Sequence, residues 1–273
     1  MTFAAHIYTE TDLEQPCLLS VSFGEVAVFA RRCPGRETAN EDSVAVLSLQ
    51  PNAGVLAVAD GMGGEQAGNV ASALTVQALK AACEAATDPL TDLRPVVLDG
   101  IENANRDVLK LGVGAASTVA VVEVCDQRLR PYHAGDSGIF LFSQRRRLKY
   151  SAMPHSPVGH ALEAGFLDED EALTHDERHL VTNYVGTEEM RIEVGAPLEM
   201  AARDTLVVAS DGLTDNLTPA EIADIICRGD LLEQTRRLVH TATERMLNPG
   251  DADIPSKPDD LSLIVYRCGP VVG

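Results

Sequence analysis

The stretch V-L-A-V-A-D-G-M-G-G, residues 55–64, joins five consecutive apolar residues to an acidic turn. A short apolar run that contains Val and ends on Asp-Gly predicts a buried β-strand followed directly by a tight turn. Such a strand delivers the Asp60 carboxylate to the edge of a sheet, at the point where the backbone turns. The stretch therefore predicts a sheet with a functional carboxylate at one edge.

Three other motifs place acidic residues next to strand-like runs in a similar way. They are Y-H-A-G-D-S-G at 132–138, T-L-V-V-A-S-D-G-L-T-D at 205–215 and P-D-D-L-S-L-I-V-Y at 258–266. Several carboxylates at one sheet edge repel each other unless cations lie between them. Hard divalent cations prefer oxygen ligands of this kind. The four motifs together predict a metal centre.

The composition fits one enzyme-sized domain. The chain has 273 residues, of which 45% are hydrophobic, and no linker-like segment divides it, so we expect a single domain over residues 1–273. Aromatic residues make up only 4% and Trp is absent, which predicts an aliphatic core. The formal net charge of −19 argues against nucleic acids and anionic membrane surfaces as partners.

Cysteine usage and the N-terminal residues indicate the compartment. Six cysteines are scattered without a C-x-x-C pair, and residues 1–14 carry His and acidic residues, unlike a signal or transit peptide. No apolar run approaches the ~20 residues that a membrane-spanning helix needs. We therefore expect free thiols, mostly buried, in a soluble cytoplasmic protein.

Hydrophobic patterns predict a mixed α+β fold. Runs typical of strands, many separated by short polar turns, occur at 26–31, 43–49, 55–59, 117–125, 129–134, 139–143, 147–150, 191–194, 205–209 and 261–266. Helical patterns occur at 66–86 (with Val70, Leu74, Ala78 and Leu79 at helical spacing), 96–111, 219–227 (with Thr218 as N-cap) and 231–247. Because strands and helices do not alternate, two antiparallel sheets covered by paired helices fit better than a doubly wound sheet.

The segment 153–187 differs from the rest because it is rich in Pro, His, Gly and acidic residues. It predicts a flap insertion with short helices near 158–164 and around 168–173, which covers a site or contacts a partner. A plain surface crossover is the alternative. We expect surface or hydrogen-bonding roles, rather than metal ligation, for the histidines. Within the flap, His155 and His160 are candidates for substrate contact.

A fifth motif, R-E-T-A-N-E-D-S at 36–43, completes a recognisable set. A lone Asp-Gly is typical of any tight turn, but the ordered set N-E-D-S, A-D-G-M-G-G, A-A-S-T, A-G-D-S, A-S-D-G-L-x-D and D-D-L-S is specific. The sequence resembles the metal-dependent type 2C serine/threonine protein phosphatases in their bacterial form. The resemblance runs from about Gly35 to Tyr266, nearly the whole chain.

The resemblance implies a β-sandwich flanked by helices (α-β-β-α), with a two-metal centre at one end of the sheets. It implies that Asp60 bridges both metals and that the Gly61 carbonyl binds one of them. The first Asp of the last motif is the family's ligand, which points to Asp259 beside Asp260. The other implied roles are metal ligation by Asp211, water-holding by Glu41 and Asp42, and a weaker third-metal site at Asp136 and Asp215.

This residue set also suits phosphate ester hydrolysis on chemical grounds. Two metals about 3.5–4 Å apart neutralise the phosphate dianion and lower the pKa of a bridging water from 15.7 toward ~7. All candidate ligands are oxygens, so we expect Mn²⁺ or Mg²⁺, two or three ions, rather than zinc. No Cys-x5-Arg motif supplies a covalent nucleophile. The sequence therefore predicts direct attack by a metal-bridging hydroxide.

Two departures from the family pattern bear on catalysis. The usual phosphate-binding Arg position holds Glu37, and Arg36 lies one residue further back. We expect phosphate binding either by Arg36, through a one-residue bulge, or by Arg31 or Arg32. Met62 and Gly63 stand where many eukaryotic members have a His general acid, so leaving-group protonation falls to water or another group.

The leading prediction is a phosphatase of phosphoserine and phosphothreonine in proteins, with phosphorylated proteins as partners and a monomeric state. Two alternatives stay open: a phosphatase of small-molecule phosphate esters, and a non-catalytic binding module with the same fold. The complete carboxylate set argues against the binding module, because a pure binder has no need for it.

Overall fold

The computed structural model describes residues 3–50, 52–62, 67–86, 92–168, 171–172, 175, 177, 180–248 and 256–268. In this part of the chain the strands are β1 (Ala4–Thr9), β2 (Cys17–Val21), β3 (Gly24–Arg31), β4 (Asp42–Gln50), β5 (Ala53–Met62), β6 (Ala116–Ser117), β7 (Val119–Cys125), β8 (Arg128–Ala134), β9 (Gly138–Phe142), β10 (Leu148–Ser151), β11 (Glu193–Val194), β12 (Leu198–Glu199), β13 (Thr205–Ala209) and β14 (Leu261–Cys268). The helices are α1 (Gly68–Ala85), α2 (Leu93–Leu109), α3 (Pro157–Glu163), α4 (Asp211–Thr214), α5 (Pro219–Ile226) and α6 (Leu231–Leu247).

The strands form two antiparallel sheets. The first has the order β1-β4-β5-β7-β8-β11, with β12 also paired to β8 and β6 to β5. The second has the order β10-β9-β13-β14-β3-β2. Neighbouring strands of a sheet can be far apart in the sequence. β14, for example, lies between β13 and β3, which brings distant motifs next to each other.

Three apolar layers hold the sandwich together, and β3 shows how one strand serves two of them. Val26 and Val28 point into the core between the two sheets, whereas Ala27 and Phe29 point outward against α5 and α6. Because side chains alternate across a strand, a strand buried on both faces reads as a continuous apolar run. The first sheet packs its outer face on α1 and α2. The predicted α+β class, with two antiparallel sheets between helices, is confirmed.

The boundaries differ from the sequence-based expectation in several places. β1, β2 and β12 were not expected, and the run at 117–125 is divided at Thr118 into β6 and β7. β5 continues to Met62, past the acidic turn residue. α2 begins at Leu93, after Asp92 caps its first turn, three residues earlier than expected. The helix at 231–247 and the N-cap at Thr218 are as predicted, and Glu221 completes a capping box with Thr218.

Three of the four residues at predicted helical spacing in α1 face the core. Leu79 is fully buried, and Leu74 and Ala78 are partly buried against the outer face of the first sheet, whereas Val70 is exposed.

All six cysteines are free thiols, but only three are buried (Cys33, Cys83 and Cys227), fewer than expected. In the described ranges, every helix is too short or too polar to cross a membrane.

Candidate metal centre

β4 and β5 bring the motifs at 36–43 and 55–64 together. Asp42 and Asp60 face each other in the antiparallel register of these strands. The Asp60 N–H donates to Thr118 Oγ1 at 3.1 Å, and its carbonyl accepts the Thr118 N–H at 2.8 Å. Asp42 is buried, and Ser210 Oγ donates to its Oδ2 at 2.7 Å. Since Thr118 belongs to the first sheet and Ser210 follows β13 of the second, both sheets position this pair.

Gly61 lies where β5 passes the N-terminus of α1. Its N–H donates to the Glu41 carbonyl at 3.2 Å, and a Cβ at this position would lie 2.1 Å from the Gly68 carbonyl oxygen. Only glycine fits so close an approach. A Cβ on Gly68 would in turn lie 2.5 Å from Glu41 Oε1 and 2.8 Å from the Gly61 carbonyl oxygen, so these two oxygens border the same space. Gly63 and Gly64 lie outside the described residues.

The third acidic motif forms a short helix against the fourth. Asp211 begins α4, and Asp215 closes it with an N–H that donates to the Asp211 carbonyl at 2.8 Å. A Cβ on Gly212 would lie 1.9 Å from the Asp260 carbonyl oxygen, so the glycine allows α4 to pack on the residue that precedes β14. The two motifs are therefore in direct backbone contact.

The two residues of the acidic pair before β14, Asp259 and Asp260, make different contacts. Asp260 Oδ1 accepts the Cys33 N–H and its Oδ2 accepts the Glu41 N–H, both at 2.6 Å. Asp259 Oδ1 accepts the neighbouring Asp260 N–H at 3.0 Å, and its Oδ2 contacts a lysine side chain but no backbone donor. Because both oxygens of Asp260 are engaged by backbone donors, Asp259 is the better placed of the two to bind a cation.

Burial and mutual repulsion raise the pKa values of the clustered carboxyls. Burial raises the pKa of Asp42 well above its usual range, and burial followed by the charge of Asp42 does the same for Asp60. Burial, followed by the charge of Asp215, raises the pKa of Asp136 to about 6 and that of Asp211 to about 8. Ionisation of these carboxyls is therefore unfavourable in the cluster by itself, and a bound cation would stabilise their negative charge.

Lys257 is a site residue that the sequence analysis missed. Its Nζ lies 2.5 Å from Asp211 Oδ2, 2.9 Å from Asp215 Oδ2 and 3.0 Å from Asp259 Oδ2. The Lys257 ammonium group therefore lies among three carboxylates that the family resemblance implies as metal ligands. The donor set is entirely oxygen and gathers around a positive charge, so it fits Mn²⁺ or Mg²⁺. The only sequence signal was a lysine two residues before the acidic pair.

The candidate phosphate-binding arginines differ in how they are held. Arg31 Nε and Arg32 Nε lie 3.5 and 3.1 Å from the Asp12 carboxylate. Arg36 is exposed, and its N–H donates to the carbonyl of Cys33, the residue whose own N–H bonds Asp260. Burial and the charges of Asp260 and Asp259 raise the pKa of Glu41, and the charge of Arg36 opposes this shift. Arg36 therefore belongs to the segment that borders the acidic cluster, whereas the other two arginines pair with Asp12.

The flap borders the metal centre. A cleft of about 380 Å³ has Asp136 and Asp211 on one side, and Pro154, Val158 and Leu162 of the flap on the other. The predicted helix near 158–164 is present as α3. The one expected around 168–173 lies partly outside the described residues, with only 168 and 171–172 included.

Two histidines anchor the base of the flap. The rings of His133 and His155 stack with centroids 4.4 Å apart. His133 Nε2 bonds the Met153 carbonyl at 2.9 Å, while His155 Nε2 contacts Glu193 at 3.0 Å and its Nδ1 accepts the Gly135 N–H at 3.1 Å. Both histidines thus have the hydrogen-bonding roles expected for them. His160 lines a separate cavity of about 630 Å³, together with His155.

The structure gathers most of the candidate residues at one end of the sandwich. Those brought together are Glu41, Asp42, Asp60, Gly61, Asp136, Asp211, Asp215 and Asp259. Arg36 lies at the exposed margin. An α-β-β-α sandwich with convergent carboxylates at one end defines a class of enzyme that works through oxygen-ligated divalent ions.

Comparison with known proteins identifies the family within this class. The sequence model of the Protein phosphatase 2C family matches residues 31–249. The protein phosphatase PhpP of Streptococcus pneumoniae is 30% identical over 215 residues, covering 76% of this chain and 87% of that relative. The chain therefore belongs to the protein phosphatase 2C family, and the resemblance inferred from its motifs is confirmed.

Solved structures agree with this assignment. The S. agalactiae serine/threonine phosphatase is similar with a TM-score of 0.76 and 27% identity, covering 89% of this chain and 99% of that one. The catalytic domain of the serine/threonine protein phosphatase PstP, in complex with two manganese ions, is similar with a TM-score of 0.69 and 25% identity. That comparison covers 90% of this chain and 98% of the PstP chain.

Proposed function

We propose that the protein hydrolyses phosphoserine and phosphothreonine esters of proteins with the help of Mn²⁺ or Mg²⁺. The observation that carries the proposal is the gathering of Asp211, Asp215 and Asp259 around one positive charge, near the half-buried Asp60. Carboxylates arranged this way suit a divalent metal centre. The two manganese ions in the related PstP catalytic domain support the same metal class.

Each residue has a proposed part in this centre. Asp60 would be shared between two ions, with the Gly61 carbonyl as a further ligand of one and Asp211 and Asp259 as ligands of the other. Asp136 and Asp215 would provide a third, weaker position, while Glu41 and Asp42 would hold water near the ions. When bound, the ions would neutralise the phosphate dianion and lower the pKa of a bound water, the proposed nucleophile.

The chain's own residues favour direct attack by water over a covalent intermediate. Cys33, whose N–H reaches Asp260, is the cysteine tied most directly to the cluster. Burial raises the pKa of its thiol, although the charge of Arg36 opposes the shift. A thiol that resists ionisation is a poor nucleophile. Arg36 is the proposed phosphate-binding residue, since it is exposed in the segment that borders the acidic cluster.

The shape of the site favours a protein substrate. The cleft of about 380 Å³ extends from Asp136 along apolar flap residues, including Val158 and Leu162. A small phosphate ester would leave these apolar side chains uncontacted, whereas a peptide carrying the phosphate can cover them. We propose that phosphorylated proteins bind there to a monomeric enzyme.

Hydrolysis assays on matched substrates test the proposal. Purified protein is given an aryl phosphate, a phosphothreonine peptide and a small sugar phosphate, each with Mn²⁺, Mg²⁺ or chelator, alongside Asp60→Asn. The proposal expects metal-dependent turnover of the aryl phosphate and the peptide that both chelator and D60N abolish. Preference for the sugar phosphate would favour the small-ester alternative. A folded protein without turnover under any metal would favour the binding module.

A further inference from the structure

The ammonium group of Lys257 stands where a metal ligand set is proposed. It contacts Asp211, Asp215 and Asp259 at 2.5–3.0 Å, whereas Lys149, another ion-paired lysine, contacts the single carboxylate of Asp204. Three carboxylates around one ammonium are more than a surface ion pair requires. The arrangement has the form of a cation site filled by a side chain.

The backbone of Lys257 is held in place by a buried amide. The Lys257 N–H donates to Asn216 Oδ1 at 2.9 Å, and Asn216 Nδ2 donates to the Lys257 carbonyl at 2.8 Å. Asn216 is fully buried, and its Nδ2 also bonds the Gly212 carbonyl at 2.9 Å. The lysine is therefore attached by a fixed backbone to the same helical turn that carries Asp211. Only its side chain, 26% exposed, is free to change position.

The ammonium and a divalent ion compete for the same oxygens, Oδ2 of Asp211 and Oδ2 of Asp259. A divalent ion bound to both oxygens, at roughly 2.0–2.1 Å, would lie in the space that Lys257 Nζ occupies. Two cations so close would also repel each other strongly. Metal binding at this position therefore requires the ammonium to leave. Its partial exposure gives it a route into solvent.

We propose that Lys257 is an internal cation that competes with the divalent metal for Asp211 and Asp259. In the metal-free protein it holds the carboxylates together, and metal binding expels it. This inference rests on the proposed metal centre. It makes Lys257 a residue that sets the affinity of the enzyme for its metal, and hence the metal concentration at which the enzyme becomes active.

Chemical labelling of the unmodified protein tests the expulsion directly. Lysines are acetylated for a short time in chelator or in saturating Mn²⁺, and the modified sites are quantified by mass spectrometry. Lys257 should be protected without metal and react at least about 5-fold faster with Mn²⁺, because an ion-paired ammonium is a poor nucleophile. Lys149 is the internal control and should not change. Equal labelling of Lys257 under both conditions would overturn the proposal.

A binding titration tests the competition. Calorimetry and the electron paramagnetic resonance signal of free Mn²⁺ report the affinity and number of bound ions for the wild type, Lys257→Met and the matched control Lys149→Met. K257M should bind at least one Mn²⁺ about 10-fold or more tightly, a change of about 1.4 kcal/mol. K149M should match the wild type. Unchanged affinity and stoichiometry in K257M would contradict the inference alone.

Different results would contradict the metal centre and the role of Lys257. If neither the wild type nor K257M binds Mn²⁺, the proposed metal centre itself is wrong, and the inference falls with it. If both bind Mn²⁺ identically, the metal centre stands and only the role of Lys257 is lost. Should K257M not fold, Lys257→Gln and the labelling of the wild type decide the matter.

Discussion

The carboxylate of Asp260 accepts the backbone N–H of Glu41 at 2.6 Å, which ties the last acidic motif of the chain to the first. The same carboxylate accepts the Cys33 N–H with its other oxygen. Asp260 therefore fastens the segment before β4 to the start of β14. Its neighbour Asp259 makes no comparable long-range backbone bond among the described residues: it accepts the adjacent N–H and contacts Lys257 Nζ.

Asp260→Asn should destabilise the fold. An amide keeps one acceptor oxygen but turns an NH₂ group toward a backbone donor, so one charge-assisted hydrogen bond is lost and the other is weakened. We expect the free energy of unfolding to fall by about 1.5–3 kcal/mol, measured by urea denaturation in chelator. A variant as stable as the wild type would show that these two bonds do not hold the segment.

Asp259→Asn should instead weaken metal binding. The substitution removes the charge of a proposed ligand without changing its shape. Replacing a residue that merely supports a metal ligand already lowers metal affinity about 10–100-fold, so we expect Mn²⁺ affinity to fall at least that much. Stability in chelator should change less than in the isosteric variant D260N. If D260N loses metal affinity at full stability and D259N the reverse, the roles of the two residues must be exchanged.

Most of the fold could be predicted because its strands are buried on both faces. Runs such as 26–30 and 206–209 are apolar throughout, since one side faces the inter-sheet core and the other faces helices. β1 and β2 escaped prediction because they lie at sheet edges, where partly exposed residues such as His6 and Ser20 interrupt the pattern. Edge strands carry a weaker sequence signal than central ones.

The site could be predicted as a set of motifs, but not as a network. Asp60 and Asp211 follow apolar strands and are visible in the sequence, whereas Lys257 belongs to the polar segment before β14. Its role depends on Asn216, which fixes its backbone from 41 residues away. Likewise, nothing in the order of the pair 259–260 shows that the second residue bonds Cys33 and Glu41. Long-range hydrogen bonds leave no periodic trace in a sequence.

Arg36→Ala should impair phosphate binding. Arg36 is exposed in the segment that bonds Asp260 through Cys33, and hydrogen bonds between an arginine and a phosphate contribute about 1.5–3 kcal/mol. We therefore expect kcat/KM for an aryl phosphate to fall by roughly 10–100-fold, with Mn²⁺ affinity unchanged. Arg32→Ala is the matched control, because Arg32 pairs with Asp12 at 3.1 Å. A loss in R32A without a loss in R36A would assign the phosphate to the other arginine.

Because the buried His133 resists protonation, it should lower the stability of the protein in mild acid. Its side chain is buried, Nε2 bonds the Met153 carbonyl, and Nδ1 has no hydrogen-bond partner among the described residues. Burial, with a further contribution from the stacked His155, lowers the pKa of His133, although the Met153 bond and Glu193 oppose the shift. The ring is therefore neutral in the folded state at pH values where the unfolded chain already binds a proton.

The sign of the pH effect follows from this difference. Below the unfolded pKa of about 6.5, the unfolded state binds more protons, so stability falls as the pH falls toward the lowered folded pKa. We expect the free energy of unfolding to decrease between about pH 7 and pH 5.5, by at most about 1.4 kcal/mol per pH unit from this residue. His133→Gln should remove that part of the slope, while His240→Gln, on the exposed side of α6, should keep it. Identical slopes in urea denaturation of the wild type and both variants would show that another group titrates.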